Sequence, residues 1–254
     1  MFASALALAS VPAHAEWVKV GETYVVEELV DGEWVEVERG AFGTIDRFVA
    51  AEPLERSDSI AAYGPFRVLD EGRAALVGIT DSESPASFAA MLRENPGIAT
   101  LELVDAGGTF DDRANLQLGR MIRRAGIATH VPAYGSVRSG AVELFIAGTK
   151  RSIEDGARFA VHAWLDESGF EATDYAAGSP ENSKYVSYSR EMGLAQGQAE
   201  AFYDLTNSVP HADALWLSAG EMRSWIPTAS EAVLAAPRLA YAATLDIDFT
   251  GALH

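Results

Sequence analysis

Two hydrophobic periodicities divide the chain. From Trp17 to about Phe48 apolar and polar residues alternate, as in Tyr24-Val25-Val26-Glu27 and Trp34-Val35-Glu36-Val37-Glu38, with Asp31-Gly32 between the runs. Alternation on both sides of an Asp-Gly pair predicts a hairpin, because a tight primed turn needs positive φ at both central residues. Ala50 to Tyr63, charged and carrying Pro53, Ser57 and Ser59, reads as a linker. Beyond it, short apolar runs alternate with stretches of helical spacing. Strands are expected over Arg67–Leu69, Ala74–Ile79, Ile98–Val104, Ile127–Pro132 and Arg158–Ala163. Helices are expected from Ser84-Pro85 to Asn95-Pro96-Gly97, from Asp111 to Gly126, and from about Ser139 to Ala147. In the second of these Ala114, Leu118, Met121, Ile122 and Ala125 form the apolar stripe, and acids at the start and arginines at the end suit the helix dipole.

Strand and helix in alternation predict an α/β fold with a mostly parallel sheet, right-handed crossovers and flanking helices, plus a small N-terminal β attachment. The C-terminal third reads as mostly helical, around Lys184–Met192 and Leu194–Leu205. Ser218-Ala219-Gly220-Glu221 forms a capping box for a short helix through Trp225 that Pro227 stops. The expected organisation is residues 1–15 as an export signal, 16–63 as hairpin and linker, 64–227 as the main domain and 228–254 as a tail.

The export expectation rests on the apolar run Phe2–Val11, followed by Ala13-His14-Ala15 in the A-x-A form of a cleavage site. Met1-Phe2 brings no basic residue, which leaves a simple hydrophobic terminus as the alternative. The run is shorter than the roughly 18 apolar residues a membrane helix needs, and no other stretch reaches that length, so no transmembrane segment is expected. Composition narrows the partners. A net charge of −18 without a basic run argues against nucleic acid, whose phosphates require clustered Lys and Arg. The absence of cysteine removes disulfides, thiolate metal sites and a thiol nucleophile. The histidines at 14, 130, 162, 211 and 254 show no His-x-x-x-His spacing, and no metal or cofactor is expected.

Three segments carry chemistry together. Asp105-Ala106-Gly107-Gly108 and Gly135-Ser136-Val137-Arg138-Ser139-Gly140-Ala141 both fall where a parallel strand should end, the edge at which such sheets bind ligands. Glycines there let backbone N–H groups approach a reacting atom, and Ser139 stands near a helix start with the Gly140 N–H beside it. His162 lies in the next apolar strand and can face the same edge as a base toward Ser139. Taken singly, the Gly-Gly pair reads as a turn, the serine among small residues as close packing, and the histidine as a hydrogen-bonded core residue.

In order, these pieces resemble the Clp protease proteolytic subunit of the crotonase-like superfamily, and within it the exported bacterial relatives. The resemblance spans roughly residues 66 to 227, is sharpest from Leu101 to His162, and extends to the late Leu217-Ser218-Ala219 helix start. It implies Ser139 as nucleophile, His162 as general base, Gly108 and Gly140 as oxyanion-hole donors, and Asp213, or else Asp204, as the third, acidic residue. Asp105-Ala106 in place of Ser-Pro, Ala163 after the histidine, and the charged Arg138 and Glu143 depart from the family pattern. The implied activity is an exported serine hydrolase, a peptidase acting on peptide or protein substrates in the periplasm or outside the cell, with homo-oligomers in view. The alternative is a non-catalytic binding or assembly protein of the same fold. Acyl-CoA hydratase or isomerase chemistry, found elsewhere in the superfamily, ranks below both.

Overall fold

The computed structural model describes residues 59–166 and 168–228 in full, and the backbone of three strands before them. Those strands are β1 (Ala15–Val20), β2 (Thr23–Val30) and β3 (Glu33–Ala41), an antiparallel sheet in that order. Val30 pairs with Glu33, which is the hairpin the alternation predicts, while Asp31-Gly32 lies outside the described residues. Residues 1–14, 42–58 and 229–254 also lie outside them, and with them most of the expected signal, linker and tail. Ala15 is the first residue of β1.

The main unit is mixed α/β, built on a nine-stranded sheet. It opens with an antiparallel meander of β4 (Ala61–Tyr63), β5 (Phe66–Val68) and β6 (Arg73–Thr80). The last residues of the expected linker therefore form a strand, with Tyr63 packed against the core. Helix α1 (Ser84–Glu94) crosses to β7 (Thr100–Thr109), which pairs parallel with β6 along its length. Ser84 is not the cap of α1 but its first residue, and its hydroxyl bonds back to Asp81.

Strand β7 is the pivot. On its other edge Thr100–Glu102 pairs with β8 (Ala128–Val131), and Asp105–Ala106 pairs with β9 (Ser136–Arg138), so the sheet forks along one strand. One branch continues from β8 to β10 (Arg151–Ile153), the other from β9 to β11 (Arg158–Val161) and β12 (Leu215–Ser218). All contacts of β7 are parallel, as are β8 with β10 and β9 with β11, while β12 is antiparallel to β11. The strand expected at 98–104 starts at Thr100 and runs on to Thr109, with Gly107 and Gly108 continuing it in place of the expected turn.

Helix α2 (Asp112–Arg124) is capped by Asp111, whose carboxylate accepts the Ala114 N–H at 2.9 Å. It packs on α3 (Ala141–Ala147), which is buried apart from Glu143. Helices α4 (Pro180–Glu191) and α5 (Gln196–Thr206) add the outer layer, with Tyr188 fully buried and its hydroxyl donating to the Glu143 carbonyl oxygen at 2.9 Å. The predicted capping box at Ser218 and Glu221 starts α6 (Ala219–Trp225). Among the described residues no helix is long and apolar enough to cross a membrane.

Candidate active site

The fork in the sheet brings the ends of β7, β9 and β11 together. After β9 the ladder to β11 runs one residue further, with the Ser139 N–H donating to the Ala160 carbonyl at 2.9 Å. The chain then turns into α3 at Ser139, whose φ of +50° is the one positive value at a non-glycine residue among those described. A left-handed serine costs on the order of 1–3 kcal/mol unless its surroundings hold it. Here two backbone hydrogen bonds do so: the Ala160 carbonyl on its N–H and the Val142 N–H on its carbonyl, the latter at 2.9 Å. Because C=O and N–H point oppositely across a trans peptide, the Ser139 carbonyl directed at Val142 turns the Gly140 N–H away from α3.

Gly108 abuts this turn from β7. Its φ is +115°, and a Cβ there would lie 3.0 Å from Ser139 Cβ and 3.4 Å from Oγ. Only glycine combines that backbone conformation with that closeness. Gly140 is confined as well, since a Cβ would stand 2.7 Å from Thr109 Cγ2.

His162 follows β11 and lines the same cavity as Ser139 and Gly140, a cleft of about 720 Å³. Its Nδ1 is 2.8 Å from the Ala163 carbonyl oxygen, which can only accept, so Nδ1 carries the proton and Nε2 is the basic nitrogen. The ring meets His211 edge to face with centroids 4.7 Å apart, and His211 Nδ1 lies 3.0 Å from the same carbonyl. The Glu171 carboxylate accepts the His211 backbone N–H at 2.9 Å and fixes that segment.

The expected acid stands elsewhere. Asp213 is exposed, its N–H donates to the Pro210 carbonyl at 3.0 Å, and it is outside the cavity wall; Asp204, exposed on α5, is outside it too. Arg138 also avoids the cavity. The residue is 2 % exposed, and its guanidinium places Nη1 2.9 Å from Asp105 Oδ1 and donates to Ser136 Oγ at 2.7 Å. Asp105 and Arg138 thus offset each other's charge and tie β7 to β9.

The far wall is aromatic and acidic. Trp164 and Tyr185 stack at 5.9 Å, Tyr185 and Tyr203 at 6.0 Å, and Trp164 Nε1 donates to the Tyr203 hydroxyl at 2.8 Å. Lys184 Nζ rests 4.8 Å from the centre of the Tyr185 ring. The Tyr185 hydroxyl is taken up by the Asp112 carboxylate. Glu143 has one carboxyl oxygen shielded from solvent without a hydrogen-bond partner. Burial pushes that carboxyl up to about 7; its own backbone N–H pulls the other way, and the Asp112 charge adds to the rise.

Sequence reasoning missed Thr80, Asn115 and His211. Asn115 left a signal, since it is a polar residue buried among the apolar positions of α2. Thr80 ends an apolar strand and His211 stands alone after Pro210, and neither pattern marks chemistry.

No protein-family model matches the sequence, and a search of curated proteins finds no match. Solved structures do show likeness. One is a lysine-to-alanine mutant of 1510-N, a membrane-bound stomatin-specific protease, in complex with a substrate peptide; it is 13 % identical, with a TM-score of 0.39 over 61 % of this chain and 70 % of that one. Another is an asparagine-to-aspartate mutant of ClpP1 from Listeria monocytogenes, 17 % identical, with a TM-score of 0.43 over 61 % of this chain and 88 % of that one.

Proposed function

We propose that this chain is an exported serine hydrolase that cleaves peptides through an acyl-enzyme on Ser139. The observation that carries the reading is the strained Ser139 turn, with Gly108 against it and His162 in the same cavity. In the proposed reaction Ser139 Oγ bonds to the substrate carbonyl carbon while its proton passes to His162 Nε2. The carbonyl oxygen, now anionic, takes hydrogen bonds from the Gly108 and Gly140 N–H groups. His162 then gives the proton to the leaving amine as the C–N bond breaks. Water, deprotonated by the same nitrogen, releases the acid and restores Ser139. The Ala163 carbonyl does the orienting that a carboxylate does in a full triad, holding the Nδ1–H tautomer without a compensating negative charge.

A second reading, a non-catalytic binding protein of this fold, draws on the position of Asp213 outside the cavity. A fluorophosphonate probe separates the two. It is expected to label the wild-type protein in the periplasmic fraction and to fail on Ser139→Ala. Equal labelling of both proteins contradicts the hydrolase, and label confined to the cytoplasm contradicts export.

A further inference from the structure

Thr80 and Asn115 form a buried polar chain between the two glycines of the proposed oxyanion hole. Thr80 is 0 % and Asn115 2 % exposed. Asn115 Nδ2 donates to the Gly140 carbonyl at 2.6 Å, and because that carbonyl only accepts, the amide orientation is fixed with Oδ1 toward Thr80. Thr80 Oγ1 lies 3.0 Å from Asn115 Oδ1 and 3.1 Å from the Gly108 carbonyl, so its one proton serves two acceptors. The chain joins the ends of β6 and β7, the first turn of α2 and the start of α3.

A buried amide and hydroxyl would cost several kcal/mol if unpaired, so their place here calls for partners that only this arrangement supplies. Apolar side chains on α2 and β6 would fill the space without that cost. What the polar pair adds is orientation. Each bonded carbonyl belongs to a glycine, the residue type with the widest backbone freedom, and each lies one peptide from the N–H that would meet the oxyanion. The Ser139–Gly140 peptide is already fixed by Val142, and Asn115 fixes the next one. At Gly140 the fit is close enough that a Cβ would stand 3.1 Å from Asn115 Nδ2.

We infer that Asn115 and Thr80 are positioning residues of the oxyanion hole, acting through the Gly140 and Gly108 carbonyls they hold. The inference rests on the serine-hydrolase reading, in which these glycines donate to the developing anion. Removing either residue leaves the nucleophile and base in place and loosens the donors, so the effect falls on the chemical step rather than on binding.

The test is the saturation kinetics of fluorophosphonate labelling, in which Ser139 Oγ bonds to phosphorus, fluoride leaves, and the phosphoryl oxygen occupies the oxyanion position. Asn115→Ala and the isosteric Thr80→Val are expected to lower the maximal labelling rate roughly tenfold to a hundredfold, somewhat less than loss of a whole donor. The half-saturating probe concentration should stay within about twofold, and Thr80→Ser, which restores the hydroxyl, should recover most of the rate. Should Asn115→Ala fail to fold, the Thr80 pair decides alone. Wild-type rates in folded Asn115→Ala and Thr80→Val overturn the inference and leave the hydrolase standing. Labelling that does not depend on Ser139 overturns the hydrolase itself.

Discussion

Among the described residues His130 and Ser152 form a hydrogen-bonded pair that invites comparison with Ser139 and His162 of the cavity. On neighbouring parallel strands β8 and β10, His130 Nδ1 lies 2.7 Å from Ser152 Oγ and Nε2 lies 3.2 Å from Glu154 Oε1, the outline of a Ser-His-Glu triad. Glu154 also accepts the Ala133 N–H at 2.9 Å. Ser152 is 1 % exposed, in the middle of a strand, with no place for a substrate carbonyl. Ser139 is the reverse. It sits in a strained turn at the edge of an open cavity, with glycine backbone against it and a histidine whose proton is held on the far nitrogen. The difference teaches that hydrogen-bond geometry among side chains does not make a site without access and without somewhere for charge to go. A satisfied network stabilises the fold; a strained turn beside open space can react.

Substitutions on the two sides should therefore separate activity from stability. The largest effect is expected at Gly108→Ala, whose methyl group meets Ser139 and strains a φ of +115°. Probe labelling should fall by about a hundredfold to a thousandfold, as for loss of one oxyanion donor. An unchanged rate would mean that β7 has no part in the site.

Glu143 comes next. Its carboxyl is pushed up to about 7, above its ordinary range, chiefly because the carboxyl group is shielded from solvent although the residue as a whole is only half-buried. The folded state then binds the proton more tightly than the unfolded state, so the contribution to stability is intact below about pH 4.5 and is lost as pH rises through about 7. Relative to Glu143→Gln, the wild type should lose on the order of 3 kcal/mol across that window in urea unfolding. Parallel pH curves for the two proteins would contradict the solvent-shielded carboxyl.

Arg138→Ala should have the smallest effect of the three and a purely structural one. Loss of a buried ion-pair partner costs about 3–5 kcal/mol in full burial, and Asp105, with a side chain 35 % exposed, reduces this to about 2 kcal/mol. Denaturant unfolding reads the loss, and labelling of the folded variant should stay near the wild-type rate. A large drop in labelling would place Arg138 in the site after all.

Much of this was legible before any coordinates. The alternation of strands and helices, the α2 dipole pattern, the capping box at Ser218 and the hairpin around residues 31 and 32 follow from local rules. Ser139, Gly140 and His162 were found as candidates because parallel strands deliver their carboxyl ends to one edge. What escaped was non-local or too short. Strands β9 and β10 have three residues each, below the length at which periodicity can be read. Gly107-Gly108 looked like a turn because the glycines that break a strand elsewhere here extend one, with a register shift at Gly78 and Ile79 absorbing the irregularity. Asp105 and Arg138 looked like two separate oddities, since nothing in sequence reveals that β7 and β9 are neighbours. Asn115 shows the converse, a polar residue on a buried stripe whose meaning depends on a carbonyl 25 residues ahead of it and a hydroxyl 35 residues behind it.

The central claim is that the open pair reacts and the closed pair does not. Peptide mapping by mass spectrometry of the wild-type protein after fluorophosphonate treatment addresses it directly. The account predicts a single adduct on the peptide containing Ser139, with Ser152 unmodified. An adduct on Ser152, or none on Ser139 in folded protein, would contradict it.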